Sequence, residues 1–228
     1  MSTVGGGVNI VTNGLVLYLD ASNTKSYVSG STTWNDVSRS GNNGTLTNGP
    51  TFNSANGGSI VFDGGDDFIK PPASTTLQLT NFTLSSWVKI NVQNINQYII
   101  DTSTNASFGY GYSYRIKTDN KIRFWAYDAN NALDSTTTIS PNIWYNILVT
   151  YDNTTKIQSI YINGVFNVSN THTNPFVVST VTNLQIGGSS IFGGYLNGNV
   201  AQSSIYNRSL SAAEVLQNFN ATRTRFGL

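Results

Sequence analysis

Between Phe82 and Ile90 apolar and polar residues alternate. Phe82, Leu84, Val88 and Ile90 share one parity with Ser86, and Thr83, Ser85, Trp87 and Lys89 share the other. A period of two is the signature of a half-buried strand. Tyr145, Ile147, Val149 and Tyr151 repeat the pattern and stop at the turn Asp152-Asn153. Ile160-Tyr161-Ile162 and Val165-Phe166 flank Asn163-Gly164, a dipeptide suited to a type I′ hairpin because both central residues need positive φ. Leu15 to Leu19 is a short apolar run between Gly14 and Asp20, which predicts a buried strand. Residues 21–56 are dominated by Ser, Thr, Asn and Gly, which predicts a long loop with at most short strands, anchored by Trp34. From Ile60 onward strands recur at the spacing of an all-β sandwich.

The segment Tyr112–Tyr127 reads as a hairpin. A three-residue loop at Asp119-Asn120-Lys121 would pair Ile116 with Phe124 and Tyr114 with Ala126 on the core face. The same register sets Lys117 opposite Arg123, Arg115 opposite Trp125, and Ser113 opposite Tyr127 on the outer face. Arg115, Trp125 and Tyr127 would then form an exposed contact patch, with Tyr110 and Tyr112 of the loop Phe108-Gly-Tyr-Gly-Tyr112 as further contacts. Trp87 and Trp144 lie in strands of core character and read as structural. The convincing helix spans Ala212 to Phe219, with Ser211 as N-cap, Glu214 completing a capping box, and Leu210 and Val215 as a hydrophobic staple.

Both ends read differently from the body. Residues 1–13 are Gly-rich and weakly patterned, the mark of a flexible arm. Residues 220–228 carry Arg223, Arg225 and Phe226 with no local partner in the pattern, which suggests a tail that docks on another molecule. The chain between them, 14–219, shows no repeat and no linker, so one domain is expected.

Charge narrows the field. Only 10% of the 228 residues are charged and the net charge is +1, so general attraction to nucleic acid or to a membrane surface is not expected. The chain has no cysteine, and no apolar run reaches the roughly 20 residues of a membrane helix. The N-terminal stretch lacks the basic and apolar regions of a signal peptide, so secretion is not expected.

Glycoside cleavage normally needs two carboxyl groups flanking the scissile bond. The chain has a single glutamate, Glu214, already assigned to the helix cap, and no strand carries D-x-D or D-x-x-D. His172 is the sole histidine, in a polar loop, and is expected to be exposed; zinc and hydrolase triads cannot be assembled around it. No cofactor is required by any motif. Calcium remains open, because Asp20, Asp36, Asp63 and Asp66 stand in Asn- and Gly-rich turns that offer oxygen ligands. Turn-shaping hydrogen bonds are the plainer use of the same residues.

Eight fragments in a fixed order carry a resemblance: GLVLYLDASN, TTWNDVSRSGNNGTL, GGSIVFDGGDDFI, FTLSSWVKI, IWYNILVTYDNTTK, YINGV, LQIGG and IYNRSLSAAEVLQNF. Together they resemble the laminin-G-like, concanavalin-A-like jelly rolls, from Gly14 to about Phe219. The resemblance implies an all-β, two-sheet antiparallel sandwich with one short C-terminal helix. Similar jelly rolls often hold a structural calcium and close on an acidic pair where this chain has Ala201-Gln202, which weakens that ligand set. The closing stretch IYNRSLSAAEVLQNFNATRTRFGL is similar to laminin-G-like proteins of tailed bacteriophages. This implies a non-catalytic virion module, a capsid decoration or a tail- or fibre-associated protein. It would be made in the host cytoplasm, bind other virion proteins through its termini, and could form a homo-oligomer. The alternative is an adhesion module that binds host surface glycans, with an aspartate-based hydrolase a minor third reading.

Overall fold

Two eight-stranded antiparallel sheets face each other in a computed structural model that describes residues 9–104, 111–126, 131–172 and 183–228. In chain order the strands are β1 (Leu15–Asp20), β2 (Thr33–Trp34), β3 (Gly44–Thr47), β4 (Thr51–Asn53), β5 (Ser59–Asp63), β6 (Phe68–Lys70), β7 (Phe82–Ile90) and β8 (Gln97–Asp101). There follow β9 (Tyr112–Ile116), β10 (Lys121–Ala126), β11 (Leu133–Thr138), β12 (Trp144–Asp152), β13 (Ile157–Ile162), β14 (Val165–Thr171), β15 (Gln185–Ile186) and β16 (Asn197–Tyr206). The back sheet runs β14-β13-β12-β7-β16-β5-β4, with β1 also paired to β16. The front sheet runs β11-β10-β9-β8-β15-β6-β3-β2.

The alternation foreseen in β7 and β12 sends Phe82, Leu84, Val88, Ile90, Ile147, Val149 and Tyr151 into the space between the sheets. They meet Ile100, Tyr112, Tyr114, Ile116, Ile122 and Phe124 of the front sheet. Phe82 sits at the middle, with ring centroids 4.8 Å from Tyr112, 5.6 Å from Tyr151 and 6.1 Å from Phe124. Trp34 is fully buried and anchors the long loop, as expected. Asn163 and Gly164 take φ of 52° and 76°, the two positive values a type I′ hairpin needs.

The β9–β10 register corrects the sequence reading. Ile116 pairs with Ile122, Arg115 with Arg123, Tyr114 with Phe124 and Ser113 with Trp125. The loop has three residues, as expected, but begins one residue earlier, because Asn120 rather than Lys121 takes the left-handed position (φ 62°). The slip of two in the pairing leaves every side chain on its expected face. Tyr112 faces the core, fully buried, and donates from its hydroxyl to Leu77 O at 3.1 Å, so it is not an exposed contact. Likewise His172 is buried against Tyr151 rather than exposed.

The helix, α1 (Ala212–Thr222), starts on the foreseen capping box: Glu214 N donates to the Ser211 hydroxyl, and Ser211 N donates back to the Glu214 carboxylate. It runs three residues beyond Phe219 and covers the outer face of the back sheet. The chain end overturns the expectation of a tail without a local partner. Arg223–Phe226 forms a 3₁₀ turn, and the Phe226 ring stacks on Trp87 at 4.1 Å and 21°. Phe219 and Trp144 flank the stack, and Ala201 lies buried in the same cluster. Trp87 Nε1 donates to Thr222 Oγ1 at 2.9 Å. Arg225 forms an ion pair with Asp20 at 2.8 Å and donates to the carbonyls of Asn56 and Gly58. Trp87 and Trp144 are thus covered by the chain's own tail, on the outer face of their sheet.

The described part of the N-terminal arm is also tied down. Val11 N donates to Asn218 Oδ1 at 2.8 Å, Tyr206 Oη donates to Val11 O at 2.9 Å, and Gln217 Nε2 donates to Asn9 O at 2.8 Å. Residues 1–8 lie outside the described residues. Among the described residues no helix is long and apolar enough to cross a membrane.

Removing a buried aromatic ring costs about 3 kcal/mol or more. Phe226→Ala should therefore lower the denaturation midpoint and shift tryptophan emission to the red as Trp87 and Trp144 meet water. Unchanged stability and emission would contradict the assigned place of the tail.

Candidate functional site

Strand pairing lays two rows of side chains across the outer face of the front sheet. One row reads Tyr98, Arg115, Arg123, Asp134, and the other Gln185, Asp101, Ser113, Trp125. The Arg115 guanidinium lies 5.1 Å from the Tyr98 ring centroid and 5.5 Å from that of Trp125. Its Nη1 donates to Tyr98 Oη at 2.6 Å. Tyr98 meets Trp125 edge-on, at 6.1 Å and 90°.

The loop between β15 and β16 lies over this face. Tyr98 N donates to Gly194 O at 3.3 Å, and Ser189 Oγ donates to Asp101 Oδ2 at 2.6 Å. A Cβ on Gly194 would sit 2.7 Å from the Tyr98 ring, so glycine permits the close approach. The result is a half-buried Phe192 ring parallel to Tyr98, at 5.5 Å and 8°.

The charges here have defined partners. Arg123 grips Asp134 with two bonds, Nε to Oδ1 at 2.6 Å and Nη2 to Oδ2 at 2.8 Å. Lys117 Nζ reaches Asp134 Oδ2 at 2.8 Å and Asp119 at 2.9 Å. Arg123 foremost, with Lys117, holds the Asp134 carboxyl down to about 2. Asp101 is fully buried and accepts from Ser103 Oγ at 2.7 Å as well as from Ser189, while burial pushes its carboxyl up. Burial also pushes the Tyr98 hydroxyl up to about 12, against the opposing charge of Arg115.

Of the residues singled out in the sequence, Arg115 and Trp125 come together on this face. Trp125 is only 5% exposed, so its ring supports Arg115 instead of offering a stacking surface; the expectation of an exposed ring is corrected. The half-buried Phe192 ring was passed over in the sequence reading, although Ile191-Phe-Gly-Gly-Tyr195 places an aromatic beside two glycines. Tyr98, Asp101 and Asp134 were missed too, since their roles depend on strand pairing. Tyr110 and Tyr127 lie outside the described residues. Arg225 and Phe226 are spent on the intramolecular contacts of the tail, and Arg223 lies 5.9 Å from the Phe219 ring.

The four calcium candidates separate. Asp63 and Asp66 join Asp67 in a group whose carboxylate oxygens lie within 4.8 Å of one another, a donor set of the kind a hard cation takes. Burial foremost, with the neighbouring charges, raises the Asp67 carboxyl. Asp20 is bound to Arg225 and Ser22, and Asp36 accepts from Tyr18 N, Ser38 and Asn42 N, which are turn-shaping uses.

The family model described as the concanavalin A-like lectin/glucanases superfamily matches residues 63–216. No curated protein sequence matches the chain. Among solved structures, a Trypanosoma rangeli sialidase in complex with sialic acid aligns at TM-score 0.74 and 18% identity, over 99% of this chain and 36% of the sialidase. The binding domain of Paraclostridial Mosquitocidal Protein 1 aligns at 0.73 and 19%, over 92% of this chain and 52% of that one. Domain 4 of an extracellular arabinanase from Geobacillus stearothermophilus, in complex with arabinotriose, aligns at 0.70 and 17%, over 90% of this chain and 97% of the domain. The chain thus spans about a third of the sialidase and nearly all of the arabinanase domain.

Asp134 makes the site's electrostatics testable. Unfolded, its carboxyl has the ordinary value of 3.8; folded, it falls to about 2. The stability it lends is fully present above the unfolded value and is lost as pH falls through the folded one. The gap in denaturation midpoint between the protein and Asp134→Asn should be constant from neutrality to about pH 4 and close toward pH 2. A gap unchanged at pH 2 would contradict the clamp.

Proposed function

Because the chain belongs to the concanavalin A-like lectin/glucanase superfamily, we propose that it is a non-catalytic glycan-binding module. The observation that carries this is the outer face of the front sheet, where the half-buried Phe192 ring lies on Tyr98, at one end of a row of fixed polar groups, Arg115, Arg123 and Asp134. A flat apolar ring bordered by oriented donors and acceptors suits the faces and hydroxyls of a sugar. The near end-to-end likeness to a domain seen with arabinotriose supports the same reading. The proposed partner is a cell-surface saccharide, and a phage particle is the setting we keep for it from the sequence resemblance.

Catalysis is not supported by the carboxyls of this face or by Glu214. Glu214 serves the helix cap and pairs with Arg208 at 2.6 Å. Asp101 is buried beneath serine hydroxyls, and Asp134 is too tightly clamped by cations to donate a proton near neutrality. Neither has the free pairing across a glycosidic bond that hydrolysis needs.

A glycan array probed with the purified protein should show saccharide-specific binding. Phe192→Ala should weaken it about 2- to 10-fold, the worth of one aromatic contact. Phe166→Ala, on exposed β14 of the other sheet, should leave it unchanged. Incubation with polysaccharides should release no reducing sugar. Absence of any saccharide binding, or sugar release abolished by Asp134→Asn, would overturn the reading.

A further inference from the structure

Of the cations on the outer face of the front sheet, Lys117 and Arg123 are neutralised within the molecule, while Arg115, Lys121 and Lys70 form no ion pair among the described residues. Arg123 and Lys117 divide Asp134 between them, and Lys117 also holds Asp119. Arg115 pairs with Arg123 across the β9–β10 ladder, yet no carboxylate of the described residues forms an ion pair with it. Asp101, in the neighbouring row, spends its oxygens on Ser103 and Ser189.

The donors of Arg115 are unequally used. Nη1 is committed to the Tyr98 hydroxyl at 2.6 Å. Nε is buried without an acceptor among the described residues, and no bond engages Nη2. Nε is closed off by that burial, so Nη2 is the donor open to an incoming carboxylate oxygen, in a charge-assisted bond. The rings of Tyr98 and Trp125, at 5.1 and 5.5 Å, hold the guanidinium plane in place before any ligand arrives.

We propose that Arg115 receives the carboxylate of an acidic saccharide, a uronic or nonulosonic acid residue, while Phe192 lies under an adjoining ring. This rests on the glycan-binding reading and specifies its ligand class. Arg123 and Lys117, already neutralised, contribute little net charge, and Arg115 differs from the unpaired Lys121 and Lys70 in being held between the Tyr98 and Trp125 rings, so the preference depends chiefly on it. Neutral sugars lack the anionic group that Arg115 is left to pair.

Titration calorimetry with an oligogalacturonate and with its methyl ester tests this, because the pair differs only in the charge of the carboxyl. A second pair, sialyllactose and lactose, covers the other class of acid. The acid of at least one pair should bind about 10-fold or more tightly than its neutral partner, the worth of a charge-assisted bond. Arg115→Met should abolish that preference. Arg115→Lys, which keeps the charge and loses the guanidinium plane held by Tyr98 and Trp125, should lose most of it. Lys156→Gln, an equal loss of charge in the β12–β13 turn, should keep it. Circular dichroism and the denaturation midpoint establish that each variant is folded. Equal binding of acid and neutral forms, or a preference that survives Arg115→Met, would overturn the proposal while leaving glycan binding intact. Binding of neither pair, and of no saccharide on the array, would remove the glycan-binding reading and this inference with it.

Discussion

The stack of Phe226 on Trp87 determines how the two sides of the sandwich differ. A sheet has two faces, and packing against its partner buries only one of them. On the back sheet the other face carries Trp87 and Trp144, an apolar area that would be a liability in water. Helix α1 and the turn after it close that face, and Arg225 fastens the closure to Asp20 on the first strand. Ala201 leaves room beneath the rings where a longer side chain would push the tail away. The front sheet's outer face shows half-exposed charged side chains instead, and its functional reading follows from that asymmetry.

Scarcity of charge gives each ionic contact weight. With 12 cationic and 11 acidic residues in 228, most surface polarity comes from Asn, Thr and Ser. Three of the five ion pairs among the described residues cluster around Asp134, on the front sheet. The other two fasten the chain end: Arg208 with Glu214 at the start of α1, and Arg225 with Asp20 after it. Such pairs are worth little where solvent screens them, but they orient side chains that would otherwise be free. On the front sheet that orientation sets Arg123 and Lys117 aside, while Arg115, fixed by the Tyr98 and Trp125 rings, forms no ion pair among the described residues.

Features with local causes were legible in the sequence. The period of two in β7 and β12, the Asn163-Gly164 turn, and the capping box at Ser211 and Glu214 each follow from contacts within a few residues. The face of Arg115 and Trp125 was legible as well, because a register slip of two preserves parity. The exposure of Trp125 was not, since it depends on Tyr98 from two strands away in the sheet. The partner of Phe226 lies on β7, far away in the chain, and nothing near the C-terminus announces it. Phe192 needed the pairing of β15 with β8 to bring its loop over Tyr98, a consequence of topology rather than of any motif.

The central claim is that saccharide meets the outer face of the front sheet and leaves the helix-covered face untouched. Four tryptophans serve as reporters: Trp125 on the claimed face, Trp87 and Trp144 beneath the tail, and Trp34 in the core. Their indole N–H signals can be followed by NMR during titration with a saccharide that binds. The account predicts a progressive shift of the Trp125 signal, with those of Trp34, Trp87 and Trp144 unmoved. Shifts of Trp87 or Trp144 with Trp125 unchanged would place the ligand on the opposite sheet and contradict it.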